Sequence, residues 1–302
     1  MRPRLSLVLA VFVSAADAHG QGSPRDERLD RMVGLILPAA REASGKLDSI
    51  ARTVRRDSGT AIADSTVYRF WRANQYITLR LDRADAIEVE VAIDPGGAAA
   101  QYAARRRTGQ APPPIADSLL RVLAAHGIFG RPSEGDMYYY LSAAAVQRRF
   151  ECCISPGMRE YLAIETVAQE HHAAEDGGLM VPLTEIVARV ARAEQFLAAY
   201  PSSPAVPQVE YDRNRYLAWV LFGIDNTPAF DFRTKALVPE FRRVMETLAS
   251  QRATEQSGKA AQAMLDVLKR NGYRRTPEVE SHIRNGWNEL SRQTREIMRP
   301  PR

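Results

Sequence analysis

The sequence predicts a mainly α-helical protein. Its C-terminal part reads as a stack of antiparallel helical hairpins, preceded by a smaller N-terminal region that is α or α+β and contains a β-hairpin. Three observations carry this. From Pro156 onward, apolar residues recur at helical spacing in one segment after another. Short turns containing Pro and Gly separate those segments, which brings consecutive helices side by side. Between Ile77 and Ile93 the apolar residues instead alternate with polar or small ones, the period of a strand.

Residues 1–18 stand apart. Arg2 and Arg4 precede an apolar run from Leu5 to Val13, and Ala16-Asp17-Ala18 follows. A positive head, a short apolar middle and a small-residue exit form a secretory signal peptide. The run is far short of the ~20 residues that span a bilayer. Export to the periplasm or beyond, with cleavage near Ala18, is expected. No Cys directly follows the run to accept a lipid, and the longest later dense apolar run, Leu217 to Ile224, is too short to cross a membrane. The remaining chain divides into an N-terminal α or α+β region, 19–150, and a C-terminal helical-hairpin region, 151–302.

Each element has a local reason. Leu29, Met32, Val33, Ile36 and Leu37 share a helix face, and Pro38 is expected to kink or end that helix. A second helical stretch follows around Leu47, Ile50 and Val54. Ile77, Leu79 and Leu81, then Ile87, Val89, Val91 and Ile93, form the arms of the β-hairpin, and Asp94-Pro95-Gly96-Gly97 ends it. A lone hairpin is marginal, and Met137 to Leu141 offers a third strand. Residues 98–114 read as a connector ending in Pro112-Pro113-Pro114. A helix from Ala116 to His126 then stops at Gly127.

In the C-terminal region one helix carries Tyr161, Leu162 and Ile164 and is expected to run to Gly177-Gly178. The next has the stripe Leu183, Ile186, Val187, Val190, Leu197 and Tyr200. Pro201, Pro204 and Pro207 separate it from a helix with Tyr216, Leu217, Val220 and Leu221. Leu237, Val238, Phe241, Val244, Met245 and Leu248 mark a further helix. Met264, Leu265 and Leu268 mark another, capped by Asn271-Gly272. Thr276-Pro277 opens the last, as N-cap and first helical residue.

Ala193 to Pro204, with Phe196-Leu197-Ala198-Ala199-Tyr200-Pro201 and Ser202-Ser203-Pro204, resembles the helix-turn segment of tetratricopeptide-like proteins of the bacterial envelope. Thr247-Leu248-Ala249-Ser250-Gln251-Arg252 is a second, weaker copy, lacking Tyr-Pro. The offset of 51 residues exceeds the 34 of the tetratricopeptide unit, and the excess lies in the loop Gly223 to Thr234. The resemblance covers residues 183–271. It implies a helical-hairpin stack that holds a protein partner in a groove, and it carries no site residues.

The net charge is +5, and only four basic residues are lysines, so arginine carries it. The densest cluster, Arg105-Arg106-Arg107, lacks the interleaved aromatics that stack on bases, so a nucleic-acid partner is not expected. The only cysteines, Cys152 and Cys153, are adjacent. Neighbouring Cα atoms lie about 3.8 Å apart, closer than ordinary disulfides need. The favoured reading is two small buried thiols, with a vicinal bridge or intermolecular pairing as the alternatives.

Glu165, Glu170, His171, His172, Glu175 and Asp176 are the densest group of metal-type ligands, with His171, His172 and Glu175 the metal candidates among them. On a helix His171 and Glu175 share a face, but a helix supplies two ligands and zinc needs three or four. A solvated helix end is the reading favoured, and no metal or cofactor is expected. Asp225, Asn226 and Asp231 lie in the loop between two helices and lack calcium-loop spacing. Phe230 and Phe232 are expected to tuck that loop onto the helices, making it the candidate recognition surface. Phosphate-binding, dinucleotide and nucleophile-elbow motifs are absent from the sequence. The function expected is therefore non-catalytic: an exported helical scaffold that binds a protein or peptide partner. The alternative is an envelope hydrolase or glycan-binding protein that uses the N-terminal aromatics with Glu134 and Asp136.

Overall fold

The computed structural model describes residues 24–77, 116–133 and 136–297. It is mainly helical, with a few small antiparallel sheets. The elements in chain order are α1 (Pro24–Arg56), α2 (Ala61–Asn74), β1 (Tyr76–Ile77), α3 (Ala116–Ala125), β2 (Ile128–Ser133), β3 (Asp136–Leu141), α4 (Ala143–Phe150) and α5 (Pro156–Glu170). Then come β4 (Ala174–Glu175), β5 (Gly178–Leu179), α6 (Leu183–Ala199), α7 (Val206–Phe222), β6 (Gly223–Ile224) and β7 (Thr227–Pro228). The chain closes with α8 (Pro239–Gln251), α9 (Gln256–Arg270) and α10 (Pro277–Ile297). The signal peptide and most of the 77–93 hairpin lie outside the described residues, as does Glu134.

In the N-terminal part, α1 is one helix that runs through Pro38 rather than stopping there. Pro38 is exposed, so its missing N–H costs one hydrogen bond on the solvent side while Met32, Ile36 and Leu47 bury the opposite face. Gly127, at φ +76°, ends the turn after α3 in the left-handed region that a glycine enters without strain. Strand β3 is central in a three-stranded antiparallel sheet and pairs with both β1 and β2. Ile77 therefore pairs with Tyr139. Gln169 pins the sheet's exit, donating from Nε2 to the Leu141 carbonyl at 2.9 Å and accepting from the Ala143 N–H at 2.9 Å. The adjacent cysteines are joined as a Cys152–Cys153 disulfide in the α4–α5 turn, so the expectation of two thiols is replaced.

Helix α5 ends at Glu170, well before Gly177-Gly178. Residues 174–179 instead form the hairpin β4–β5 around Asp176 (φ 45°) and Gly177 (φ 67°). Two consecutive positive φ values make the tight turn that Asp-Gly favours. A second two-residue hairpin, β6–β7, turns at Asp225-Asn226. Helices α6 and α7 pack along each other across a short turn, and α8 and α9 do the same. Among the described residues, no helix is long and apolar enough to cross a membrane.

Two apolar cores result. One gathers α1, α2, α4 and α5 around Trp71, Phe150 and Tyr161. The other gathers α6 to α10 around Ile186, Leu217, Phe241 and Leu268. Helix α6 serves both: Leu183, Ile186 and Val190 enter the second core, while Ala193 and Phe196 enter the first. Toward the end of α6 Phe196 is buried, whereas Leu197, expected on the apolar stripe, is only partly so.

The buried Glu194 ties α6 to the α8–α9 turn. It accepts from Arg252 Nε at 2.7 Å, from the Ser257 N–H at 2.9 Å and from Ser257 Oγ at 2.8 Å. Its side chain is 6% exposed, so these three donors stand in for water. Gly258 lets the chain close there, because a Cβ at that position would lie 1.9 Å from the Arg252 carbonyl oxygen. Arg252→Met should leave a buried carboxylate without its counter-charge and cost about 3 kcal/mol. Gly258→Ala should cost at least as much, through steric displacement of the turn. Chemical denaturation of both variants checks this, with Ser250→Ala on the exposed end of α8 as the neutral control.

Candidate functional site

Two concave sites adjoin α7. The first is an open groove of about 670 Å³ between the hairpin tips and α10. Its apolar wall contains Trp219 and Phe222 of α7, Trp287 of α10, and Phe232. The wall forms because Gly286 has no side chain: a Cβ there would lie 2.5 Å from Phe222 Cζ. Phe222 lies against that bare backbone and packs on Trp287 with ring centroids 5.6 Å apart and planes tilted by 48°. Phe232 is 70% exposed and Trp287 38%, so part of the wall faces solvent.

The groove's other side is acidic and comes from the two hairpins. Glu175, Asp176 and Asp225 line it, opposed by Arg275. The tips hold one another. The Asn226 N–H donates to the Gly177 carbonyl at 2.8 Å, Asn226 Nδ2 donates to the Asp176 carbonyl, and the Leu179 N–H donates to Thr227 Oγ1 at 2.9 Å. One backbone bond and two through the Asn226 and Thr227 side chains keep the acidic edge in place.

This arrangement redistributes the residues expected from sequence. Glu175 and Asp225, which are 50 residues apart, line one groove. Asn226 fastens the tips. Asp231 is separate: its Oδ1 accepts from the N–H groups of Arg233 (3.0 Å) and Thr234 (2.6 Å) and from Thr234 Oγ1 (2.8 Å). Those bonds hold its carboxyl below the usual range and shape the loop. Phe230 is buried as expected, but Phe232 is not tucked in. His171 caps α5, and its carbonyl accepts from Arg189 Nη2 at 2.6 Å. Because the helix ends there, His171 and Glu175 do not share a helix face, nor do His172 and Asp176. The described residues contain no cluster of three or more metal-type ligands. In the N-terminal part, Phe70, Trp71 and Tyr139 are core residues and Tyr138 is exposed.

A comparison with family models, curated proteins and solved structures finds no match to this chain.

The second site is a cavity of about 340 Å³ where α2, α5, α6 and α7 meet. Arg72, Glu165, Arg189, Arg192, Asp212 and Arg215 bring six charges to its wall. Burial, and then the nearby Asp212 charge, raise Glu165 to about 7, against the opposing pull of Tyr161, Arg72 and Arg215. Tyr161, buried one turn earlier, is pushed well above the usual phenol range by burial and then by Glu165. The Arg215 guanidinium lies 5.4, 5.1 and 5.3 Å from the rings of Tyr211, Tyr216 and Trp219. Of these residues only Glu165 belongs to a ligand-type cluster in the sequence; Arg72, Asp212 and Arg215 lie in other segments, where single charges on helix faces normally face solvent.

An unfolded glutamate titrates near 4.5, so between 4.5 and about 7 the folded chain holds more proton than the unfolded one. Stability contributed by the neutral carboxyl is therefore lost as pH rises through that window. Glu165→Gln should raise stability by about 2 kcal/mol at pH 8 and by little at pH 5. Urea unfolding at the two pH values checks the difference.

Proposed function

We propose that this chain is an exported, non-catalytic binding protein. Its C-terminal helices form a tetratricopeptide-like stack of hairpins that holds a segment of an envelope protein in the groove beside α10. The observation that carries the reading is the pairing of an exposed aromatic wall with an acidic edge on a protein of net charge +5. Aromatic side chains that remain partly in water gain by being covered. The acids select a partner that brings Lys or Arg beside its apolar residues. Export rests on the N-terminal signal, and the stack on the paired packing of α6 with α7 and α8 with α9.

A photo-cross-linking amino acid at position 232 tests this in the producing cell. Discrete cross-linked products that weaken with Asp225→Lys and with added salt are expected. Absence of such products, or their indifference to Asp225→Lys, would contradict the reading. For a peptide recovered from those products, Trp287→Ala should weaken binding about tenfold, the loss typical of an aromatic anchor. Titration followed by tryptophan fluorescence measures it.

A further inference from the structure

The cavity among α2, α5, α6 and α7 has a charge arrangement that the partner-binding groove does not use. Three of its four guanidinium groups are already paired. Arg189 Nε lies 3.1 Å from Glu185, Arg192 Nε 2.7 Å from Glu160, and Arg215 Nη2 2.8 Å from Asp212. Arg72 is the remaining one, and among the described residues it makes no ion pair. The charge near it that counters its own is Glu165. With Glu165 ionised, the four arginines face four carboxylates and the cavity is balanced. With Glu165 protonated, one positive charge at Arg72 is uncompensated in a recess walled partly by Ile164, Val167 and Val209.

We propose that this cavity binds a small monocarboxylate with a short apolar body. The ligand's carboxylate pairs with Arg72 and takes the electrostatic place of Glu165, which is protonated as the ligand enters. The volume of about 340 Å³ sits at the small end of ligand pockets. The mixed wall suits a molecule with one charged end and one apolar end. A second, independent sign of incomplete pairing is that Nη1 of Arg189 and Nε of Arg215 are buried without any hydrogen-bond partner. Native structures rarely leave buried cationic donors so.

The groups that face Glu165 come from every packed helix. Helix α2 brings Tyr68 and Arg72, α5 its own Tyr161, and α7 Asp212 and Arg215, while Arg189 and Arg192 of α6 and Tyr211 and Tyr216 of α7 line the same cavity. Tyr68 and Tyr161 are pushed upward, away from neutral pH. Glu165 is the group whose proton the ligand requires. With a carboxyl that titrates at about 7, the competent fraction falls about tenfold between pH 6 and pH 8.

The test is calorimetric titration of the full chain with butyrate, at constant ionic strength, at pH 6 and pH 8. Butyramide, butylammonium and inorganic phosphate serve as comparison probes. Butyrate should bind about tenfold more tightly at pH 6, with proton uptake revealed by buffers of different ionisation enthalpy. The amide and the amine should not bind, and phosphate should bind less than butyrate. Glu165→Gln should bind butyrate equally at both pH values, and Arg72→Gln should lose binding while keeping its circular dichroism spectrum. Any of four results would overturn the proposal: no butyrate binding at pH 6, equal binding of butyramide or phosphate, pH dependence that survives in Glu165→Gln, or full affinity in a folded Arg72→Gln.

Discussion

The buried carboxylate of Glu194 determines how the second half of the molecule is assembled. It projects from α6 but takes its donors from the α8–α9 turn, more than fifty residues away in sequence. A buried charge tolerates few alternatives: each oxygen must meet a donor in an environment where water cannot substitute. Arg252 and Ser257 meet that demand together, and the bare backbone of Gly258 permits the approach. Such a pair adds modest net stability, because desolvation offsets much of the attraction. Its larger effect is on register. If α8 slid along α6 by one turn, the carboxylate would be left unpaired.

With that register set, α7 is clamped between α6 and the later helices, and it presents different chemistry along its length. Near its middle, Asp212, Arg215 and Tyr216 face the charged cavity. At its end, Trp219 and Phe222 face the aromatic groove. The Arg215 guanidinium, 5.3 Å from the Trp219 ring, is the physical link between the two sites. The cavity is less open than the groove and its charges are crowded at short range, so protonation matters there. The groove is open, so area covered and salt-sensitive edge charges matter instead.

Much of the helical architecture was legible in the sequence because burial follows period. Tyr216, Leu217, Val220 and Leu221 were identified as one stripe and are all buried. The Asn271-Gly272 and Thr276-Pro277 signals fall at the helix ends observed. The two small hairpins were not legible. Their strands are two residues long, too short for alternation to register, although Asp176-Gly177 carried the turn signal. The loop around Asp225 was singled out, but its opposite edge at Glu175 was read as part of a helix. The cavity left almost no trace in the sequence. Glu165, Asp212 and Arg72 lie in three separate segments, and each alone resembles an ordinary solvated charge.

The sharing of α6 between two cores has a consequence for the chain as a physical object. Leu183 and Phe196 lie on one helix yet anchor different apolar clusters. Val209 and Tyr216 repeat that division on α7. A rigid helix cannot melt at one end while holding a core at the other without exposing apolar surface between them. Helices α6 and α7 therefore couple the two clusters physically. Cutting the chain near residue 150 would part Trp71 and Phe150 from Met158 and Phe196, which share one cluster.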